Sequence, residues 1–118
     1  MKRKLYYLSH QIATAGDFIE NINELNAIAE LMLMKGHMLI NPAKIIESTG
    51  MNDEEDRHRI MAVCTALVAQ CDYLVICSNV STGVWEEIAF AKEFGIPIIT
   101  LGQIMPELTK RRNKHEQV

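Results

Sequence analysis

The chain has 118 residues, which is enough for one domain with a substantial core and leaves little room for a second. Its apolar fraction of 48% and charged fraction of 23% exclude a disordered or fibrous chain. The formal net charge of -3 provides no general attraction for nucleic acid, so binding to nucleic acid is not expected. We expect a single domain over residues 1–118, with a core at about 5–101 and a C-terminal helix or tail at 102–118.

The first half of the chain predicts two strands and two helices. Lys4–Ser9 is a short β-prone run. Apolar residues recur at steps of three and four over Asp17–Lys35, which predicts an amphipathic helix with Asp17 as N-cap and Gly36 as C-cap. His37–Asn41 predicts a second strand, stopped by Pro42. A short helix is predicted before Gly50.

The second half continues the alternation. A long helix is predicted from Asp53 to Gln70, and the unbroken apolar run Tyr73–Cys77 is typical of a parallel strand covered on both faces. Another helix is predicted over Val84–Phe94 and a strand over Ile96–Leu101. The last segment, from Met105 to about Asn113, predicts a final helix.

This alternation of strand and helix predicts an α/β fold in three layers, α/β/α. The parallel sheet should contain four or five strands, as in flavodoxin-like or Rossmann-like domains. In such sheets ligands bind beyond the carboxyl ends of the strands, where the strand order reverses. Polar residues in the loops after the strands, among them Ser9, Gln11 and Asn41, are therefore candidates for nucleotide binding.

The loop after the third strand carries the most informative residues. Ser81, Thr82 and Gly83 lead directly into a helix, where hydroxyls and backbone amides favour a phosphate or carboxylate. Glu87 lies one turn into that helix and can face the same crevice. The alternative interpretation is that Glu86 and Glu87 only complement the helix dipole.

Several motifs occur in one order along Leu5 to Leu101. They are Tyr7-Leu8-Ser9, Gly36 to Pro42 with its Asn41-Pro42 end, Cys71-Asp72 before an apolar strand, and Ser81-x-Gly83-x-x-x-Glu87. The chain thereby resembles the nucleoside 2-deoxyribosyltransferase-like superfamily, and in particular small uncharacterised branches found in phage and bacteria.

The resemblance implies that Glu87 is a nucleophile that attacks the anomeric carbon of a nucleoside or nucleotide and displaces the base. The serine and amides of the motif would hold the sugar or its phosphate. No cofactor and no metal are implied. Relatives are commonly dimers or larger homo-oligomers, and neighbouring subunits sometimes complete a site.

Two departures from the family pattern bear on the chemistry. His10-Gln11 stands where many relatives have Gly-Pro after the first strand. Cys64 stands where many active relatives have an aspartate. Asp72 does not replace that acid, because it precedes the strand and lies about 16 Å from its carboxyl end at about 3.3 Å per residue.

Other side chains are candidates for proton transfer or ligand contact. His10, His58 and Asp56 are candidate acids or bases, since imidazole titrates near neutral pH. Arg57 and Arg59 are candidate phosphate ligands. Tyr7 and Trp85 are candidates for stacking on a base, although aromatic residues at such positions are more often part of the core.

Remaining features have ordinary interpretations. Cys64, Cys71 and Cys77 lack the paired spacing of zinc or redox sites and are expected to be reduced core thiols. The basic residues near the end, from Lys110 to His115, are expected to form a solvated tail. No signal peptide or membrane span is predicted, so we expect a cytoplasmic location.

Three functional hypotheses follow. The first is an enzyme that cleaves or transfers an N-glycosidic bond, with Glu87 as nucleophile. The second is a non-catalytic protein that binds or sequesters a nucleotide or an ADP-ribose-type signal, which the changes at His10-Gln11 and Cys64 favour. The third is a structural or assembly protein.

Overall fold

The computed structural model of the chain describes residues 4–11, 18–49, 57–78 and 80–107. These residues form four strands and five helices in the order β1 (Leu5–Ser9), α1 (Phe18–Met34), β2 (Met38–Ile40), α2 (Pro42–Thr49), α3 (Arg57–Val68), β3 (Tyr73–Ile76), α4 (Thr82–Glu93), β4 (Ile98–Thr100) and α5 (Leu101–Ile104). Strand and helix alternate as predicted, with two helices in succession between β2 and β3.

The four strands form one parallel sheet in the order β2-β1-β3-β4. Tyr7 in β1 pairs with Ile40 in β2 on one side and with Leu74 in β3 on the other. The predicted fold class, an α/β domain in three layers with a parallel sheet of four or five strands, is confirmed.

Alternate residues of the central strands enter two separate cores. Leu8 and Val75 pack with buried residues of α1, including Leu25 and Met32. Tyr7 and Leu74 point to the other face, where α3 and α4 cover them. The β1-α1-β2 connection runs toward one edge of the sheet and β3-α4-β4 toward the other, so right-handed crossovers put α1 and α4 on opposite faces.

Two helices, α1 and α4, end at a glycine in the left-handed conformation. Gly36 has φ +87°, and the amides of Gly36 and His37 bind the carbonyls of Leu33 and Met32, which is the Schellman arrangement after α1. Gly95 ends α4 in the same way, with φ +71°. A side chain at either position would be strained in this left-handed backbone conformation.

Several predicted boundaries differ from the structure. The short helix predicted before Gly50 is confirmed as α2, and it begins earlier, at Pro42, where the Asn41 Oδ1 accepts the Ala43 amide at 3.0 Å. β4 is shorter than predicted, and Gln103 accepts the Thr100 amide at 2.8 Å as α5 begins. Most of the helix predicted from Met105 onward lies outside the described residues, as does the predicted N-cap Asp17.

The three cysteines are buried and their thiols are free, as expected for core residues. No helix among the described residues combines the length and apolar character needed to cross a membrane.

Candidate functional site

The reversal of strand order lies between β1 and β3. From β1 the chain crosses to β2 on one side and then returns past β1 to β3 on the other. In parallel sheets the ligand crevice lies beyond the carboxyl ends of the strands at this reversal, which here is between α1 on one face of the sheet and α4 on the other. The loops here are joined, since Cys77 donates its amide to the Ser9 carbonyl at 2.8 Å and Gln11 donates its amide to Ser78 Oγ at 2.9 Å.

Glu87 is bound by two hydroxyl groups of β1. The Ser9 hydroxyl donates to Glu87 Oε1 at 2.8 Å, and the Tyr7 hydroxyl donates to Glu87 Oε2 in a short hydrogen bond. Tyr7 and Ser9 are two positions apart in a strand and therefore share one face, the face that α4 covers. Glu87 faces that strand from the second turn of α4 and is only 5% exposed. Each carboxylate oxygen thus has one donor from the sheet.

Burial dominates the electrostatics of this carboxylate. Removal from water raises the pKa of Glu87 to about 7, from an ordinary value of 4.5. The hydrogen bonds from Tyr7 and Ser9 act in the opposite direction because they stabilise the ionised form, and the charge of Glu86 adds to the rise. A carboxyl group in this state changes its charge near neutral pH, which is a property of many catalytic carboxyl groups.

Cys64 lies beside this pair, on the helix before β3. It belongs to the same core cluster as Tyr7, and its thiol interacts with the Tyr7 hydroxyl. Burial, followed by the charge of Glu87, raises the pKa of Cys64 to about 11. Burial, followed by the charge of Glu87, also raises the pKa of Tyr7 well above its usual value. Both groups therefore stay protonated at neutral pH, and the Tyr7 hydroxyl donates its hydrogen to Glu87.

The start of α4 lies next to the start of α3. Ser81 is the N-cap of α4, and its Oγ accepts the Val84 amide at 3.3 Å. Thr82 is exposed and Gly83 is half-buried. A Cβ on Gly83 would meet Met61 Sδ at 3.8 Å, which is ordinary contact, so α3 packs close to this loop. The first amides of a helix have no partner within the helix, which suits an anion.

His10 is turned away from Glu87 toward α1. Its Nε2 lies 2.8 Å from Glu24 Oε2, and its Nδ1 lies 2.6 Å from the Gln11 carbonyl oxygen. His10 is buried, whereas Gln11, just beyond the carboxyl end of β1, is half-buried. The ring therefore contacts the α1 wall of the crevice.

Asn41 has a structural environment at the end of β2. Its Oδ1 caps α2, and its Nδ2 donates to Asn26 Oδ1 at 2.8 Å, while Asn26 donates in turn to Glu47 Oε1 at 3.0 Å. These bonds join α1 to α2. β2 is an edge strand and is separated from β3 by β1, so Asn41 lies to one side of the Glu87 group.

The two aromatic candidates have contrasting environments. Tyr7 has no exposed surface, so its ring has no face available for a stacked base. Trp85 is 60% exposed on the outer side of α4, about 200° around the helix from Glu87, and the Lys92 ammonium lies 5.9 Å from its ring centroid. The structure therefore keeps Trp85 apart from the buried carboxylate.

The candidates at the start of α3 lie beside the loop that begins α4. His58 and Arg59 are exposed in the first turn of α3, and Met61, one turn further along this helix, lies beside Gly83. Arg57 begins the helix, and Asp56 lies outside the described residues. His58 and Arg59 thus belong to the helix that packs beside the start of α4, whereas His10 contacts α1.

Two features of the site were missing from the sequence predictions. The Tyr7 hydroxyl is a donor to Glu87, a role that the shared face of Tyr7 and Ser9 could have suggested. Glu24 pairs with His10, and no local pattern in the sequence indicated this contact, because the two residues come from different elements. Within the described ranges, no three or more histidine, cysteine, aspartate or glutamate side chains are grouped as metal ligands.

Comparison with known proteins identifies the family of the chain. The model of a family described as "Domain of unknown function (DUF7768)" matches residues 4–101, which contain the whole sheet and the site. The chain therefore belongs to this family. A search of the curated proteins finds no significant match.

Proposed function

We propose that this member of the DUF7768 family cleaves or transfers the N-glycosidic bond of a nucleoside or nucleotide, with Glu87 as the nucleophile. The observation that supports the proposal most directly is the Glu87 carboxylate, which is 5% exposed and receives a hydroxyl on each oxygen. It lies at the strand reversal, where parallel sheets bind ligands. The resemblance of the Ser81-x-Gly83-x-x-x-Glu87 motif supports the reaction class.

In the proposed reaction a Glu87 oxygen forms a bond to the anomeric carbon while the bond from that carbon to the base nitrogen breaks. The electron pair of the broken bond stays with the base, which takes up a proton. The resulting glycosyl ester is then attacked by water or by a second base, and the Glu87 carboxylate is released. Tyr7 and Ser9 hold the two carboxylate oxygens in place during both steps.

The ionisation of Glu87 sets the expected pH dependence. Only the carboxylate attacks, and burial raises the pKa of Glu87 to about 7. The rate of the first step should therefore increase as the pH rises through about 7 and level off above it. A carboxyl group with its ordinary pKa would already be ionised throughout this range.

A phosphate group on the substrate is supported by the start of α4. Ser81, Thr82 and Gly83 lie at the start of α4, and the exposed Arg59 lies in the first turn of α3, the helix whose Met61 lies beside Gly83. We expect a nucleoside monophosphate to be a better substrate than the corresponding nucleoside. This preference can be measured as a ratio of kcat/KM values.

The surface near the end of α1 bears on the assembly of the protein. Large apolar side chains are exposed near the end of α1 and the start of β2, with Leu33 58%, Met34 77% and Met38 46% exposed. We propose that the protein is a homodimer or larger oligomer in the cytoplasm, which light scattering of the purified protein and localisation in the source cells can test.

A second candidate function is a binding protein for a nucleotide or an ADP-ribose-type signal. One observation favours it: a thiol, Cys64, lies beside Tyr7 where a carboxylate would assist catalysis. In this case Ser9, Tyr7 and Glu87 would only shape the pocket.

The test is incubation of the protein with a panel of deoxynucleosides, ribonucleosides, their monophosphates and NAD, followed by chromatography of the released base. We expect release by the native protein and loss of release in Glu87→Gln, which keeps the shape of the side chain and removes its charge. Glu93→Gln is the matched control, because Glu93 is exposed on the last turn of the same helix.

If no base is released from any substrate of the panel, the proposed enzymatic activity is contradicted. If one of the same nucleotides then raises the melting temperature of the native protein, the binding function is supported, since a ligand stabilises the state that binds it. Base release that persists in Glu87→Gln would remove Glu87 as the nucleophile.

A further inference from the structure

A second carboxylate lies on the opposite wall of the crevice. Glu24 belongs to α1, which covers the face of the sheet away from Glu87. Its side chain is 46% exposed, and Oε2 lies 2.8 Å from His10 Nε2. A ligand between α1 and α4, above the ends of β1 and β3, would therefore have Glu87 on one side and Glu24 on the other.

His10 holds Glu24 in relation to the strand that binds Glu87. His10 directly follows Ser9, the donor to Glu87 Oε1, and its side chain has no exposed surface. Both neighbours of the ring, the Glu24 carboxylate and the Gln11 carbonyl, are acceptors. A neutral imidazole can donate to only one of them, whereas the doubly protonated ring donates to both.

Cys77 lies at the same edge of the sheet and is influenced by both carboxylates. Its amide binds the Ser9 carbonyl, so it lies beside the end of β1. Burial raises the pKa of Cys77 to about 12, and the charges of Glu24 and Glu87 both contribute to the rise. One thiol is thus within electrostatic reach of carboxylates from both walls.

We propose that Glu24 is the second carboxylate of the site, which gives a proton to the departing base, and that His10 is the positioning residue that orients Glu24 and restores its proton. This inference rests on the proposed glycosidic function. It gives the proton donor a place in α1 of the same chain, rather than in the helix before β3, where Cys64 stands, or in a neighbouring subunit.

The proton balance closes over two steps. As the Glu87 oxygen bonds to the anomeric carbon and the bond to the base breaks, the proton held between Glu24 and His10 passes from Glu24 to the base nitrogen. Water then attacks the glycosyl ester and loses a proton to Glu24, which returns the pair to its starting state. The products are the free base and the free sugar, and Glu87 is again a carboxylate.

The experiment compares two leaving groups on the same sugar. The first substrate is the nucleoside or nucleotide of the panel that the protein cleaves, whose base needs a proton to leave. The second is the glycosyl fluoride of that sugar, whose leaving group needs little help from an acid. We expect Glu24→Gln to lower kcat for the first by about 100-fold or more and for the second by less than about threefold. Glu87→Gln should abolish both reactions.

His10→Asn should show the same dependence on the leaving group as Glu24→Gln, with a smaller loss, because it acts through Glu24. Glu30→Gln, an exposed position on the same helix, is the control and should match the native protein on both substrates. If His10→Asn does not fold, as judged by circular dichroism, the Glu24→Gln comparison decides.

Equal losses on the two substrates in Glu24→Gln, or no loss on either, would overturn the role of Glu24 and leave the nucleophile Glu87 in place. A native protein that releases neither base nor fluoride would overturn the proposed function together with this inference. The two failures are therefore distinguishable in one set of measurements.

Discussion

Carboxylates contact both ends of β1, and their environments differ. At the amino end, the exposed Asp72 accepts the Leu5 amide at its Oδ2 at 2.7 Å, and the Asp72 amide donates to the Leu5 carbonyl at 2.8 Å. At the carboxyl end, Glu87 is buried against the hydroxyls of Tyr7 and Ser9. The first carboxylate ties β1 to the start of β3, and the second lies within the core.

The two environments differ in their effect on the free energy of unfolding: the buried carboxylate lowers it, whereas the exposed one does not. An exposed acceptor at the edge of a sheet exchanges one hydrogen bond with water for one with an amide. A buried carboxylate loses its hydration, and two hydroxyl donors replace only part of it, so its pKa rises. A residue kept in a destabilising state, at the edge where ligands bind, is a candidate for function.

The largest expected effect concerns Glu87→Gln and the pH dependence of stability. The native state holds the Glu87 proton up to a pKa of about 7, whereas the unfolded chain releases it near 4.5. The stabilisation from this proton is complete below pH 4.5 and is lost as the pH rises through 7. The variant, which has no charge to bury, should gain about 3 kcal/mol in unfolding free energy over the native protein between pH 4.5 and pH 8.

Urea denaturation of both proteins at several pH values measures this difference. Because other groups titrate alike in the two proteins, the difference between them isolates Glu87. A difference that does not change with pH would mean that Glu87 is hydrated as Asp72 is, and the contrast between the two ends would disappear.

The next effect concerns Tyr7→Phe, which removes one of the two donors to Glu87. We expect the free energy of unfolding at pH 8 to fall by about 2 kcal/mol, because the bond is made to an ionised group. The pKa of Glu87 should rise further above 7, since the hydrogen bond from Tyr7 lowers it. Carbon-13 NMR titration of the glutamate carboxyls measures the pKa.

Tyr6→Phe is the matched control for this variant. Tyr6 is half-buried on the other face of β1, where its ring stacks on Tyr73 with centroids 5.4 Å apart. We expect a change of less than about 0.5 kcal/mol and no effect on the Glu87 titration. If both variants behave alike, the Tyr7 hydroxyl has no special relation to Glu87.

The smallest effect is expected at the amino end. Asp72→Ala removes the acceptor of the Leu5 amide, but water can replace it at this exposed position. The free energy of unfolding should fall by about 1 kcal/mol or less, and base release should stay at the native level. Chemical denaturation and the chromatographic assay measure the two quantities. A loss of base release here would mean that the site extends to both ends of β1.

Much of the fold was predictable because its signals are local. The apolar run at Tyr73–Ile76, the helical spacing from Phe18 onward and the glycines at 36 and 95 each reflect a backbone preference or a period of the chain. Right-handed crossovers then leave few arrangements for four parallel strands. The start of α2 and the whole of α5 were not predicted, because one or two side-chain contacts define where these short helices begin.

The site was predictable in part. The position of strand ends in a parallel sheet placed Ser9, Ser81 and Glu87 at one edge, and the structure brings Ser9 and Glu87 into contact. Other candidates lie away from Glu87 in the structure. Trp85 faces solvent, and Asn41 joins α1 to α2. The direction of a side chain at a loop or helix start depends on packing partners that are distant in sequence.

By itself, the sequence determined the class of fold, the edge of the sheet that carries the polar groups and the position of Glu87 at that edge. Periodicity and turn residues act over a few positions and can be read directly from the chain. Only the tertiary structure decided that Tyr7 donates to Glu87 and that His10 pairs with Glu24, 80 and 14 positions apart. It also decided the pKa of Glu87, because the loss of hydration depends on how two helices and a sheet close around the carboxylate.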